Sequence, residues 1–273
     1  MSINRRAVVD GCTEWATWWL EQRERKLREL LSGTMTINPL MAPLVTQLHG
    51  LDSGEQLVDL LVTSHLMTGH ATGFGKLIDE KIIPNVFGAK KLSSEFRRSN
   101  EPFFESCFDD IDHVVVRDDG SVELLSLKAS TWTIQLAAAV QLNRAFSEIY
   151  ARHRVEVSSI NIGVFYGRSE TLSDKYDIAR GINRGANHDV TDLTGFVKVH
   201  AGRVFWAWLN DGENETQDWI LEGMMIAADK SRIRERAHRL MSQFNGAVTE
   251  SFPPLGGILD DAAFHALIIG ISG

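Results

Sequence analysis

The stretch CFDDIDHVVVRDDGSVELLSLKAS, Cys107 to Ser130, decides the fold class. Two β-branched or apolar runs, IDHVVVR and VELLSLK, flank DDGS, whose Asp-Gly pair signals a tight turn, so the stretch reads as a two-strand hairpin. Alternate side chains of a strand share a face. Counting back from Lys128, its face-mates are Ser126 and Leu124, while Glu123, Leu125 and Leu127 belong to the other face. On the first strand Asp110, Asp112 and Val114 share a face. Asp112, near the start of one strand, is therefore expected beside Lys128, near the end of its antiparallel neighbour.

Outward from the hairpin the period of the apolar residues changes. On the C-terminal side TWTIQLAAAVQLNRAFSEIYARH returns to helical spacing, and SSINIGVFYG is a short apolar run that predicts a buried strand. A strand pair, a helix and a further central strand make an α/β pattern with a mixed sheet. VKVHAGRVFWAWLN predicts another strand running into an aromatic-rich turn or helix. TQDWILEGMMIAADKSRIRERAHRLMSQFNG predicts a long amphipathic helix, and the last stretch is turn-rich and then apolar.

On the N-terminal side EWATWWLEQRERKLRELLSG carries Trp15, Trp18, Trp19, Leu27, Leu30 and Leu31 at three- and four-residue spacings, with Gly33 as a C-cap. The segment SGEQLVDLLVTSHLMTGHATG follows with Ser53 as N-cap. GFGKLIDEKIIPNVFGAKK predicts another amphipathic helix, ended by Pro84. The domain reading is a helical, dimer-forming region over 1–70, a catalytic and DNA-recognition domain over 71–210, and a C-terminal helical region over 211–273 that also serves the dimer.

The chain has 273 residues, 44% hydrophobic and 23% charged, an ordinary globular composition that argues against disorder. No apolar run is long enough to cross a bilayer and the first residues lack the apolar core of a secretory signal, so a cytoplasmic protein without membrane contact is expected. Cys12 and Cys107 have no C-x-x-C spacing and no His-rich neighbourhood. They read as small buried or half-buried fillers, supporting neither a zinc knuckle nor a disulfide framework. The formal charge of −8 argues against nonspecific coating of nucleic acid, which depends on phosphate neutralisation. It leaves room for a site-specific enzyme that keeps its basic residues in one cleft.

A carboxylate facing a lysine across adjacent strands suits metal-dependent phosphodiester hydrolysis. Asp112 would hold Mg²⁺, a Lewis acid for the phosphoryl oxygen, and Lys128 would position the attacking water. An isolated pair of this kind is most often a surface ion pair worth little. The residues around it change that balance. Asp112, Ser126 and Lys128 resemble the PD-(D/E)xK nuclease core. The segments HLMTGHATGFGKLIDEKI, NEPFFESCFDDIDHVVVRDDGSVELLSLKAS, WTIQLAAAVQLN and GVFYG…LSDKY…ARGIN…GANHDV resemble, within that superfamily, type II restriction endonucleases that cut the interrupted palindrome RGGNCCY. The likeness runs from about residue 10 to about residue 245 of the chain.

Two positions depart from the motif. Ile111 stands where the proline precedes the aspartate, and Ser126 stands at the acid of (D/E)xK. Related nucleases with S-x-K take the missing acid from elsewhere. Glu80, Glu101 and Glu148 are the candidates, with Glu80 preferred, and Gln141 could face the same cavity. The resemblance implies an α/β fold with a mixed central sheet of PD-(D/E)xK type flanked by helices. It also implies catalytic Asp112, Ser126, Lys128 and Glu80, with Mg²⁺ held at Asp112, Leu127 and Glu80. The substrate implied is double-stranded DNA with a GGNCC core, cut to a 5′-phosphate and a 3′-hydroxyl. A palindromic target further implies a two-fold homodimer, and a restriction system implies a cognate DNA methyltransferase.

ARGINRGANH admits two readings. As a DNA-contacting loop it would place Arg180 or Arg184 on guanine O6 and N7 and Asn187 on adenine or a phosphate. As a structural element it is a Gly-rich connector. Lys90, Lys91, Arg97 and Arg98 read as phosphate contacts if they are not an ordinary solvated run. Other functions compatible with the same core are a repair or junction-resolving nuclease and a DNA-binding module that does not cut.

Overall fold

A computed structural model describes residues 2–32, 40–128, 135–172, 191–251 and 257–272. It is an α/β structure in which helices flank a five-stranded mixed sheet. In chain order the elements are α1 (Arg5–Ser32), α2 (Ala42–His49), α3 (Gly54–Leu77), a π turn (Ile78–Ile82), α4 (Ile83–Phe87), β1 (Lys90–Lys91) and α5 (Ser94–Ser99). A 3₁₀ turn (Ser106–Phe108), β2 (His113–Val116), β3 (Val122–Lys128), α6 (Leu136–His153), β4 (Ser159–Val164) and a second 3₁₀ turn (Ser169–Thr171) come next. Then follow β5 (Val197–Ala201), α7 (Arg203–Leu209), α8 (Thr216–Lys230), α9 (Ile233–Ser251) and α10 (Asp261–Ser272). No helix among the described residues is long and apolar enough to cross a membrane.

The strands lie in the order β1-β2-β3-β4-β5. The first three pair antiparallel and the last three parallel. The hairpin turns where the Asp-Gly pair predicts it. Gly120 takes φ +82°, a left-handed conformation that glycine adopts without a Cβ clash, and Arg117 N–H closes on Ser121 O at 2.9 Å. All six residues of β4 are buried, as expected of a strand covered on both faces. One face packs Ile160, Ile162 and Val164 with Leu124, Val114 and the Leu142, Phe146 and Ile149 stripe of α6. On the other, a Cβ at Gly163 would lie 2.4 Å from Phe205 Cε2 on α7, so close packing of helix on strand requires glycine there.

Two helical predictions shift. Pro84 does not end a helix: the π turn precedes it, and Pro84 falls in the first turn of α4, where its missing N–H breaks no bond. That helix stops instead at Gly88, with φ +71°. The long amphipathic segment after residue 216 is two helices, α8 and α9, parted at Arg232, whose φ of +46° no helix interior accommodates.

The chain forms two compact units, one of Met1–Trp15 with Gly75–Ile226 and the other of Ala16–Phe74 with Ala227–Gly273. The expected segments 1–70, 71–210 and 211–273 cut the chain elsewhere. Each observed boundary falls inside a long helix, α1, α3 or α8, so one helix supplies residues to both units, which no change in sequence period announces. The second unit has its own core of Ala42, Leu57, Val58, Val62 and Phe244. There the nearly buried Glu24 accepts from Arg28 (2.5 Å) and Arg236 (3.0 Å). The sheet and every residue considered below belong to the first.

Candidate active site

Strand register sorts the hairpin side chains into two sets. Lys90, Val114 and Leu124 lie on one face, and Ser126 and Lys128 continue it by alternation; Lys91, His113, Leu125 and Leu127 lie on the other. Asp112 precedes β2 and is held by main chain on both sides. Its N–H donates to Leu125 O at 2.8 Å and its C=O accepts from Leu92 N–H at 2.8 Å. Its carboxylate Oδ2 accepts from the N–H of Leu127 at 2.7 Å, and Oδ1 lies 3.7 Å from Lys91 Nζ. Asp112 is thus fastened to the residue beside Lys128. The half-buried Lys128 side chain makes no ion pair with it among the described residues.

The second carboxylate comes from the π turn. Asp79 is half-buried and accepts from Lys91 Nζ at 2.6 Å on both oxygens, and from His113 Nε2 at 2.7 Å on Oδ1. Burial pushes the Asp79 carboxyl up, but the hydrogen bonds from His113 and Lys91, with the charge of Lys91, outweigh it and hold the group below its usual value. The acid is therefore ionised, which makes His113 Nε2 the donor and leaves the buried Nδ1 without a partner among the described residues. One ammonium, Lys91, joins two carboxylates, Asp79 and Asp112.

Neighbouring Glu80 is exposed, as is Glu101. Glu148 is exposed and engaged by Arg152 at 2.9 Å, and Gln141 is exposed. Of the helical acids, Asp79 is the one joined to Asp112, and the sequence reading missed it. A helix tightened or widened by one residue changes which of two consecutive side chains faces the sheet. The π turn does this here, with Ile78, Ile82 and Ile83 buried as anchors.

Ser126 is fully buried and its hydroxyl donates to Asp110 O at 2.6 Å. An ionised acid at this position would present an acceptor to an acceptor in a buried place, which costs several times what a hydrogen bond returns. The departure from (D/E)xK thus has a local structural reason.

The basic run divides in two. Arg97 is turned inward: its guanidinium donates to the carbonyls of Leu92 (3.0 Å), Phe108 and Ile111, and weakly to Asp109 (3.4 Å). It secures the segment that carries Asp112. Lys91 is engaged by the acids. Lys90, its ammonium over the Phe96 ring at 4.3 Å, and Arg98 remain solvent-facing. Arg180, Arg184 and Asn187 lie outside the described residues. No protein-family model matches the chain, and no curated protein matches it.

Proposed function

We propose that the chain is a Mg²⁺-dependent, sequence-specific endonuclease of double-stranded DNA, a type II restriction enzyme acting on a GGNCC-core palindrome such as RGGNCCY as a homodimer. The observation that carries this reading is the pair of carboxylates, Asp79 and Asp112, joined by one ammonium beside an S-x-K strand end. The sequence likeness supplies the substrate and the target.

The donor set fits the metal. Hard divalent cations take carboxylate oxygens, and the Lys91 ammonium bridging the two acids marks a place where their charges accept a shared cation. Asp79 and Asp112 would hold Mg²⁺, which when bound supplies Lewis-acid stabilisation of charge on the scissile phosphate. The Leu127 N–H keeps Asp112 oriented. Lys128 orients the attacking water, and Lys90 and Arg98 attract the phosphate backbone. Asp79, rather than Glu80, is assigned as the acid that compensates for Ser126.

Plasmid DNA incubated with the protein and Mg²⁺ tests the reading. Discrete, reproducible fragments are expected, with Asp112→Asn and Lys128→Ala each slowing cleavage by about 10²- to 10⁴-fold while the far-ultraviolet dichroism is retained. Cleavage undiminished in Lys128→Ala would remove the lysine from the mechanism. Random or branch-dependent nicking would favour a repair or junction-resolving nuclease, and binding without cutting at any Mg²⁺ concentration would favour a DNA-binding module.

A further inference from the structure

At the other end of the segment that leads into Asp112 is a second cluster, of different chemistry. Glu105 precedes the 3₁₀ turn Ser106–Phe108, Cys107 sits within it, and His153 is the last residue of α6. His153 Nε2 lies 3.3 Å from Glu105 Oε2, Cys107 Sγ lies 3.9 Å from the same oxygen, and the three atoms fall within 4.8 Å of one another. Bond lengths of about 2.3 Å for zinc–thiolate and about 2.0–2.2 Å for zinc–imidazole and zinc–carboxylate make the edges of a tetrahedral site roughly 3.3–3.6 Å long. The two edges that meet at Glu105 Oε2 need adjustments of no more than a few tenths of an ångström. Cys107 is buried, whereas the side chains of Glu105 and His153 keep 18% and 12% of their exposure, which leaves a fourth position for water.

We propose that Glu105, Cys107 and His153 form a zinc site that ties the end of α6 to the turn ahead of Asp112. The mixed carboxylate, thiol and imidazole set suits a borderline-soft divalent ion and sets it apart from the all-oxygen pair at Asp79 and Asp112. On binding, the Cys107 S–H bond breaks, its proton leaves to solvent and the thiolate sulfur bonds the metal. His153 binds through the Nε2 lone pair in its neutral form, with the proton on Nδ1. The ring of Phe108, 5.2 Å from that of His153, restrains the imidazole.

Arg152 competes with the metal: its guanidinium lies 2.8 Å from Glu105 Oε2. It also reaches Glu148 Oε1 at 2.9 Å and is half exposed, so it can keep Glu148 when zinc takes Glu105. Without metal, burial and the charges of Glu148 and Glu105 push the Cys107 thiol up to about 11, so the apo site is a protonated thiol beside an ion pair.

The test is a titration of the full-length, metal-stripped protein with Co²⁺ and then Zn²⁺. A single equivalent of Co²⁺ is expected to give the near-ultraviolet charge-transfer band of a cobalt–thiolate bond and the visible bands of a tetrahedral ion, both erased by Zn²⁺. Cys107→Ser and His153→Gln should each weaken Zn²⁺ binding by at least about 100-fold, since even loss of an outer-shell partner costs 10- to 100-fold. Cys12→Ala and Asp112→Asn should leave the band intact, which separates this site from the proposed nuclease centre. No band in the wild-type protein, a band that survives Cys107→Ser, or one lost equally in Cys12→Ala would overturn the proposal. His153→Gln alters a partly exposed residue and answers the question should Cys107→Ser fail to fold.

Discussion

Glu105 and Asp112 stand at the two ends of one short segment and are held in opposite ways. At Asp112 two carboxylates share a lysine ammonium, all three side chains stay partly exposed, and the donors are oxygens. At Glu105 one carboxylate meets a buried thiol and an imidazole, and the neutralising arginine lies on the solvent side. Arg97 is pinned to the carbonyls between them. The difference teaches that a few residues of main chain can carry an all-oxygen pair of carboxylates sharing one ammonium at one end and a mixed carboxylate, thiol and imidazole cluster at the other.

The largest test of this contrast is at the π turn. Asp79→Asn is expected to reduce Mg²⁺-dependent cleavage by about 100-fold or more, whereas Glu80→Gln should leave it within a few-fold; fragment-release kinetics at saturating and limiting Mg²⁺ distinguish them. Equal losses would return the role to Glu80. Next is the shared clamp. Arg97→Ala strands buried carbonyls and should cost about 1–3 kcal/mol in urea denaturation, with cobalt binding and DNA cleavage both impaired. Loss of one function alone would mean that the two ends are positioned independently.

Acid titration sharpens the comparison further. Burial, with help from the charge of Lys198, lowers His200 from 6.5 to about 4, where it stacks on Trp208 and bonds Asn161 Oδ1 at 3.1 Å. The unfolded chain then binds the proton more readily than the folded one, so stability falls as pH drops from about 6.5 to about 4. His200→Asn should flatten that part of the profile. Asp79, whose carboxyl is held below 3.8, loses its stabilising contribution only at still lower pH, so the thermal midpoint against pH separates the two windows. The smallest effect is at the surface. Lys90→Ala and Arg98→Ala should each change stability by less than about 0.5 kcal/mol, yet lower the salt dependence of DNA binding by about one counterion each.

Much of the sheet was legible because β-branched or apolar runs around Asp-Gly leave few alternatives to a hairpin, and the short, mostly apolar SSINIG segment fits a strand covered on both faces. Asp112 was expected beside Lys128, whereas its carboxylate is tied to the Leu127 N–H and to Lys91. Asp79 was not legible, since consecutive residues of a helix are distinguished only by local winding, and nothing in IDEKIIP advertises a π turn. The thiol cluster escaped for a different reason: Glu105 and Cys107 are near neighbours, but His153 lies at the far end of a helix, and no motif spacing links them. Composition and spacing give no support to a zinc knuckle, which is a local pattern, and do not address a cluster assembled across elements.

The amino-acid sequence by itself determined the α/β class, the hairpin and the central strand, because each follows from side-chain pattern and turn chemistry within a few residues. Only the tertiary structure decided that Asp79 joins Asp112 through Lys91, that Arg97 faces inward and that Cys107 meets His153. Those meetings depend on helix winding and on how far-apart elements pack, which the free energy of the whole core sets and no local pattern encodes.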